Sequence, residues 1–200
     1  MGVVTQPSLR VRKRRRARDE IIEAAYRLFA ERGYDEVTVA DIAERAEVGR
    51  TTFFRYFGDK QEVLFAGEQD RIDDLAARHR ALRGDRPPGL PEALAQVREL
   101  TLAVCAGATR DPGRYVLRER LIADHPELGD RTARKQRLFA ATMTEILREH
   151  GAAPETAALA PQLALACYTA GRAVAGDDPA ALAPSVAAAF DRLGLLPPAT

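Results

Sequence analysis

The residues best suited to chemistry lie in one short stretch, Arg50 to Lys60, RTTFFRYFGDK. Arginine can bond bidentately to guanine, and threonine and phenylalanine can touch thymine methyls, so Arg50, Thr51, Phe54 and Arg55 could read base edges. On a helix, Phe53 and Phe57 fall at i, i+4 and face a core, which leaves those four residues on the opposite side. Phe53, Phe54, Tyr56 and Phe57 cannot all face one way. Thr38, Thr52, Tyr56 and Lys60 add hydroxyl and ammonium donors suited to phosphate oxygens, which fix register without reading sequence. Upstream, Arg12, Lys13, Arg14, Arg15 and Arg16 form a basic run whose natural partner is a polyanion; it is either an arm reaching phosphates and a minor groove or a solvated tail.

Catalytic chemistry is harder to assemble. His79, His125 and His150 are scattered, and Cys105 and Cys167 sit inside apolar stretches, so neither a nucleophile, base and orienter nor a metal-ligand spacing can be drawn. The histidines are expected at the surface and the thiols as packed hydrophobes. The sequence thus predicts no enzyme, no metal and no cofactor.

The chain of 200 residues is long enough for a short module joined to a longer one. Apolar residues make up 46% and charged residues 30%, and no apolar run approaches the roughly 20 residues that span a bilayer. The N-terminus MGVVTQPSLRVRKRRR is basic but has no apolar segment after it, so it does not read as a secretory signal, and a cytoplasmic location is expected. Net charge is only +1, yet residues 1–66 carry 13 Lys/Arg against 11 Asp/Glu and the remainder 17 against 18, which puts the basic excess at the N-terminal end.

Helical periodicity and punctuation run throughout, so the expected fold is all-α. A first helix spans about 17–32, with Ile21, Ala25, Leu28 and Phe29 on one stripe and Gly33 ending it. Thr38 and Asp41 predict a capped second helix over 39–46, stapled by Val37 and Ile42. Glu47, Val48 and Gly49 form a turn, and a third helix covers 50–57, which together make a helix-turn-helix. Asp59 can cap one long helix over 60–82, a lever between modules. After the loop around Pro87 and Pro88, helices are expected at about 91–108, 112–124, 130–150, 155–175 and 179–194, with residues 197–200 fraying. The domains read as a flexible basic arm (1–16), a three-helix helix-turn-helix domain (17–60) suited to DNA, and a helical bundle (61–200).

The segment VTVADIAERAEVGRTTFFRYFGDKQEVLFA, from Val37 to Ala66, resembles the signature of the TetR family of bacterial regulators. The likeness extends from about Arg18 to Ala66: the staple and cap, the Ile42-Ala43 pair, the Ala46-x-Val48 turn, the aromatic third helix, and Phe57 and Lys60. It implies that Thr38 and Lys60 are phosphate clamps and that the third helix is the recognition helix. Thr51 stands where many members have glycine, and Phe54 where tyrosine is usual, so the operator should be this chain's own. The resemblance further implies an effector pocket in the C-terminal helices and a homodimer formed by the last two.

For the pocket, Leu94, Val97, Thr101, Val104 and Cys105 form one stripe, with Leu75, Leu117, Leu121, Phe139, Met143 and Tyr168 as further walls, which implies an apolar ligand; plain core packing is the other reading open to each of them. The stretch Arg118 to Leu128 resembles an actinobacterial subgroup with acyl-CoA-like ligands, in which Arg120 or Arg118 would meet an anionic head group; an ion pair inside the protein is the other role open to them. For the dimer, Ala166 and Ala170, or Val186, Phe190 and Leu193, could face a second copy, and core packing within one subunit is the alternative. The sequence therefore reads as a ligand-responsive DNA-binding regulator, a repressor by resemblance, that leaves a palindromic operator when a small apolar or amphipathic effector binds, with no membrane partner. An interaction scaffold that kept the helix-turn-helix, or an all-α enzyme, are the rival readings.

Overall fold

The computed structural model describes the backbone of residues 9–66, 68–82 and 84–194, and the side chains of these from residue 14 onward except 68–71. Among the described residues every regular element is a helix: α1 (Leu9–Arg32), α2 (Val39–Arg45), α3 (Arg50–Tyr56), α4 (Lys60–Leu64), α5 (Glu68–Ala81), α6 (Leu90–Ala108), α7 (Pro112–Asp124), α8 (Pro126–Glu149), α9 (Pro154–Ala175) and α10 (Pro179–Leu193). They fall into two compact units that divide after Ala66, six residues beyond the boundary expected from sequence.

In the first unit, Ile21, Ala25, Leu28 and Phe29 turn one stripe of α1 into the core, each at most 2% exposed. Gly33, at φ +80°, stops the helix and returns its N–H to the Phe29 carbonyl at 3.1 Å. The basic segment expected as a flexible arm is helical from Leu9, because nothing in VRKRRRARDE breaks a helix and Arg16 pairs with Glu20 one turn on. Arg14, Arg15 and Arg16 are therefore exposed on a helix; the side chains of Arg12 and Lys13, and all of residues 1–8, lie outside the described residues. α2 opens with a capping box. Thr38 Oγ1 accepts from the Asp41 N–H at 3.2 Å, and the Asp41 carboxylate accepts from the Thr38 N–H at 2.8 Å and from its hydroxyl. Val37 and Ile42, 1% and 0% exposed, complete the staple.

The stretch expected as one helix over 60–82 is two, α4 and α5. Val63, Leu64 and Phe65 are all buried, and three consecutive residues sweep about 200° around a helix, wider than the stripe a straight surface helix can bury. The backbone tightens instead: the Phe65 and Ala66 N–H groups bond three residues back, to Glu62 and Val63. A single rigid lever beginning at Lys60 is thereby ruled out.

In the second unit α9 packs on α6, α8 and α10 around one apolar cluster. Prolines stand in the first turn of α6 through α10, where a missing N–H costs nothing; at α8 this starts the helix at Pro126, four residues before the expected position. α9 and α10 cross at Gly171, where an added Cβ would lie 2.5 Å from Val186 Cα and 2.6 Å from its N. Cys105 and Cys167 are free, buried thiols, and burial pushes the Cys105 thiol up to about 12. His79 and His150, expected at the surface, are buried with ring centroids 5.8 Å apart, because α5 and α8 pack at these positions; His125 is half-buried, 3.9 Å from Glu127. Residues 195–200 lie outside the described residues.

Candidate nucleic-acid interface

The helix-turn-helix places its residues by a division that burial makes plain. On α3, Phe53 is fully buried and Phe57, its C-cap, is 3% exposed, stacked against each other at 5.7 Å. Arg50, Thr51 and Arg55 are exposed, and Phe54 stands 55% exposed with its ring edge-on to Phe53 at 5.5 Å. An exposed phenylalanine among arginines presents an apolar face of the kind that packs on thymine methyls. Arg55 lies over the Tyr56 ring at 5.2 Å and Arg18 over Phe57 at 5.7 Å, so the guanidinium and aromatic groups are held on a common frame.

The turn before α3 is built unusually. Gly49 serves as the α3 N-cap in an extended conformation, φ −72°, while Glu47 takes the left-handed one at φ +53°. The sequence places Glu47, Val48 and Gly49 together in this turn, as found, and does not tell which of them takes the left-handed conformation. Ties to α1 fix α2 in turn: Arg45 clasps Glu31 through both its terminal nitrogens, at 2.8 and 3.2 Å, and Arg32 lies 3.6 Å from Asp41. The Arg45 hydrogen bonds hold the Glu31 carboxyl below its ordinary range, and the Thr38 hydrogen bonds do the same to Asp41.

The residues expected to hold phosphates differ in what they now touch. Thr52 and Tyr56 are half-buried on α3. The Thr38 hydroxyl is engaged in the capping box. Lys60 Nζ donates to the carbonyls of Tyr34 at 2.8 Å, Val37 at 3.0 Å and Asp35 at 3.5 Å, and sits 4.2 Å from the Tyr34 ring centroid. It closes the α1–α2 turn rather than projecting outward.

In the second unit most of the residues expected to wall a pocket pack together in the apolar core. Val97, Cys105 and Met143 belong to one buried cluster, and Leu75, Leu94, Phe139 and Tyr168 pack against it. Leu121 is buried, and Val104 and Leu117 are half-buried. Thr101 is buried too, but its hydroxyl donates to the Val97 carbonyl of its own helix at 2.7 Å. Arg120 does not join the walls. At 100° per residue it falls opposite the buried stripe of α7, exposed, and it pairs with Asp177 at 3.0 Å. Its neighbour Arg118 is buried, 3.2 Å from Glu119, whose other oxygen takes Arg172 of α9 at 2.7 Å. A groove of about 570 Å³ between α7 and α9 runs along this ion cluster.

The dimer candidates separate as well. Val186 and Phe190 are buried in the chain's own cluster and Leu193 packs against it, because the close α9–α10 crossing consumes that face. Ala166 and Ala170 are exposed on α9, on a side that also carries Leu159 at 45% and Val174 at 80% exposure.

Comparison with known proteins bears on each unit. Residues 21–66 match the family described as bacterial regulatory proteins, tetR family. The regulator TcmR of Streptomyces glaucescens is 53% identical over 57 residues, 28% of this chain and 25% of TcmR. HbdR of Aromatoleum sp. strain CIB is 42% identical over 72 residues, 36% of this chain and 30% of HbdR. These matches thus span a quarter to a third of the relatives' length. Across the fold, a SmeT–triclosan complex aligns over 92% of this chain and 96% of its own, with TM-score 0.58 and 19% identity. Thermus thermophilus FadR in complex with lauroyl-CoA aligns over 92% and 98%, with TM-score 0.56 and 24% identity. No helix among the described residues is long and apolar enough to cross a membrane. Residues 21–66 thus match the N-terminal domain of the tetR family of bacterial regulatory proteins, and the described helices have the fold of the solved FadR and SmeT chains.

Proposed function

We propose that this chain is a one-component transcriptional regulator, a repressor that binds operator DNA as a homodimer and leaves it when a small apolar or amphipathic effector occupies the second unit. The observation that carries this reading is α3 itself: Phe53 and Phe57 fill the core while Arg50, Thr51, Phe54 and Arg55 stand outside, base-reading side chains on one face of a short helix. The exposed Arg14, Arg15 and Arg16 on α1 add phosphate contacts that carry no sequence information.

The exposed side of α9 with Leu159, Ala166, Ala170 and Val174 is the face offered to a second copy, since small residues allow close, self-complementary helix packing. A two-fold dimer suits a palindromic site with half-sites about one DNA turn apart. The effector reading rests on the apolar cluster around Val97, Cys105 and Met143, and the FadR neighbour in complex with lauroyl-CoA makes long-chain acyl-CoAs the first compounds to try. A ligand weakens DNA binding only by favouring a conformation in which the recognition helices no longer fit. Such a regulator works in the cytoplasm and needs no cofactor.

The test is binding of the purified protein to its own upstream intergenic DNA and to random duplex at two salt concentrations, with Arg55→Ala beside the wild type. Sequence-specific binding that Arg55→Ala abolishes supports the proposal. Wild-type binding that never exceeds the random duplex, in a genome-wide selection as well, favours the scaffold reading.

A further inference from the structure

We infer that Lys60 is a positioning residue that closes the helix-turn-helix into a ring, and is not one of its phosphate ligands. An ammonium has three N–H donors and no acceptor. Here three carbonyls converge on it, those of Tyr34, Asp35 and Val37, and the Tyr34 ring lies beneath it at 4.2 Å. Tyr34 is itself buried and stacked on Phe29 of α1 at 5.2 Å, so the base of this cradle belongs to the core.

The positions joined are what give the contact meaning. Val37 immediately precedes the N-cap of α2, and Lys60 is the first residue of α4, three positions after the α3 C-cap Phe57. Between them lies the whole α2–turn–α3 motif. One side chain ties its beginning to its end, while Asp59 accepts from the Glu62 N–H at 2.8 Å and Glu62 from the Gly58 N–H at 2.7 Å, so the start of α4 that carries Lys60 is fixed too. A compact ammonium can bond three converging carbonyls at once, whereas a planar guanidinium presents its donors in a rigid fork that does not converge on a point.

The inference rests on the reading of residues 38–60 as the DNA-binding motif, and the experiment separates the two. Lys60→Met and Lys60→Arg are compared with wild type by the slope of log affinity against log salt on random duplex, by the ratio of affinity for the upstream fragment to random duplex, and by amide hydrogen exchange of the whole chain. A phosphate ligand contributes about 0.9 to the slope per subunit. Positioning predicts an unchanged slope for Lys60→Met, faster exchange confined to residues 34–43 and α3, and at least a tenfold loss of the affinity ratio that Lys60→Arg does not restore. A slope reduced by about one per subunit together with full rescue by Lys60→Arg makes Lys60 a phosphate ligand and overturns the inference. Loss of protection throughout residues 21–66 makes it a general stability residue and overturns it as well. Should the upstream fragment prove no better than random duplex, the proposed operator fails, while the slope and the exchange pattern still decide the role of Lys60.

Discussion

Replacing Gly171 with alanine should destabilise the second unit even though it improves the local helix. Alanine is favoured over glycine by about 1 kcal/mol in a helix interior. Against this stands the α9–α10 crossing, where the new Cβ would meet Val186 Cα at 2.5 Å, its N at 2.6 Å and its Cγ2 at 2.6 Å. Carbon contacts are favourable near 3.5–4.0 Å, so the two helices must part by about 1 Å, which loosens Leu182, Val186 and Phe190 together. Overpacking of this kind costs about 1–3 kcal/mol, and contacts this short belong at the upper end, from which the local gain of about 1 kcal/mol is subtracted. A net loss of about 1–2 kcal/mol corresponds to a fall in melting temperature of about 3–10 °C for a unit of this size. Urea and thermal unfolding followed by far-ultraviolet circular dichroism measure it, with Gly113→Ala on the exposed first turn of α7 as the reference, since there the Cβ meets only Asp111 Oδ1 at 3.6 Å. Adding Val186→Ala removes Cγ2 but leaves Cα and N in place, so it should not restore stability. Gly171→Ala as stable as wild type, or rescue by Val186→Ala, would refute the claim that backbone approach governs this crossing.

Three further outcomes are expected. Glu47→Gly should raise the stability of the first unit by up to about 1 kcal/mol, because a left-handed residue with a Cβ at φ +53° is relieved, and a higher urea midpoint checks it. Thr38→Ala should lower that stability by about 1 kcal/mol through loss of the α2 capping box, visible as a lower midpoint and faster exchange of the Asp41 amide. Burial holds His79 below its ordinary pKa, with His150 pushing the same way and Gln96 and Glu99 opposing. The folded chain thus favours neutral His79: stability is complete above about pH 6.5 and declines as pH falls below it. The urea midpoint of the second unit should drop between pH 7.5 and 5.5, and drop less in His79→Gln.

How much of this could be read in advance depended on whether the signal was local. Thr38 with Asp41 and Asp59 before Lys60 announce helix starts because a cap acts within four residues of itself, and each does so here. The 3.6-residue period likewise separated Phe53 and Phe57 from Phe54 without tertiary knowledge. Other features needed a partner far along the chain. The carbonyls that take Lys60 lie 23 to 26 residues away, and His79 meets His150 only because α5 packs on α8. For Val186 and Phe190 the period showed that a face is covered, but not that α9 of the same chain covers it. The break between α4 and α5 was hidden because Val63, Leu64 and Phe65 contribute to a helical stripe as readily as to a bend, and no proline marks the site. Glu47 was legible as part of the turn, but its left-handed backbone was not, because glutamate carries no local preference for that conformation.

The placement of that break sets the seam for engineering. A domain swap that grafts the first unit onto another helical body would, by motif boundaries alone, be spliced at Gly58 or Lys60. Such a chimera would replace α4 and with it the ammonium that closes the α1–α2 turn and the Leu64 carbonyl that takes the Tyr26 hydroxyl at 2.7 Å. A donor segment carried through Ala66 keeps both, so the transferable cassette is six residues longer than the motif it displays.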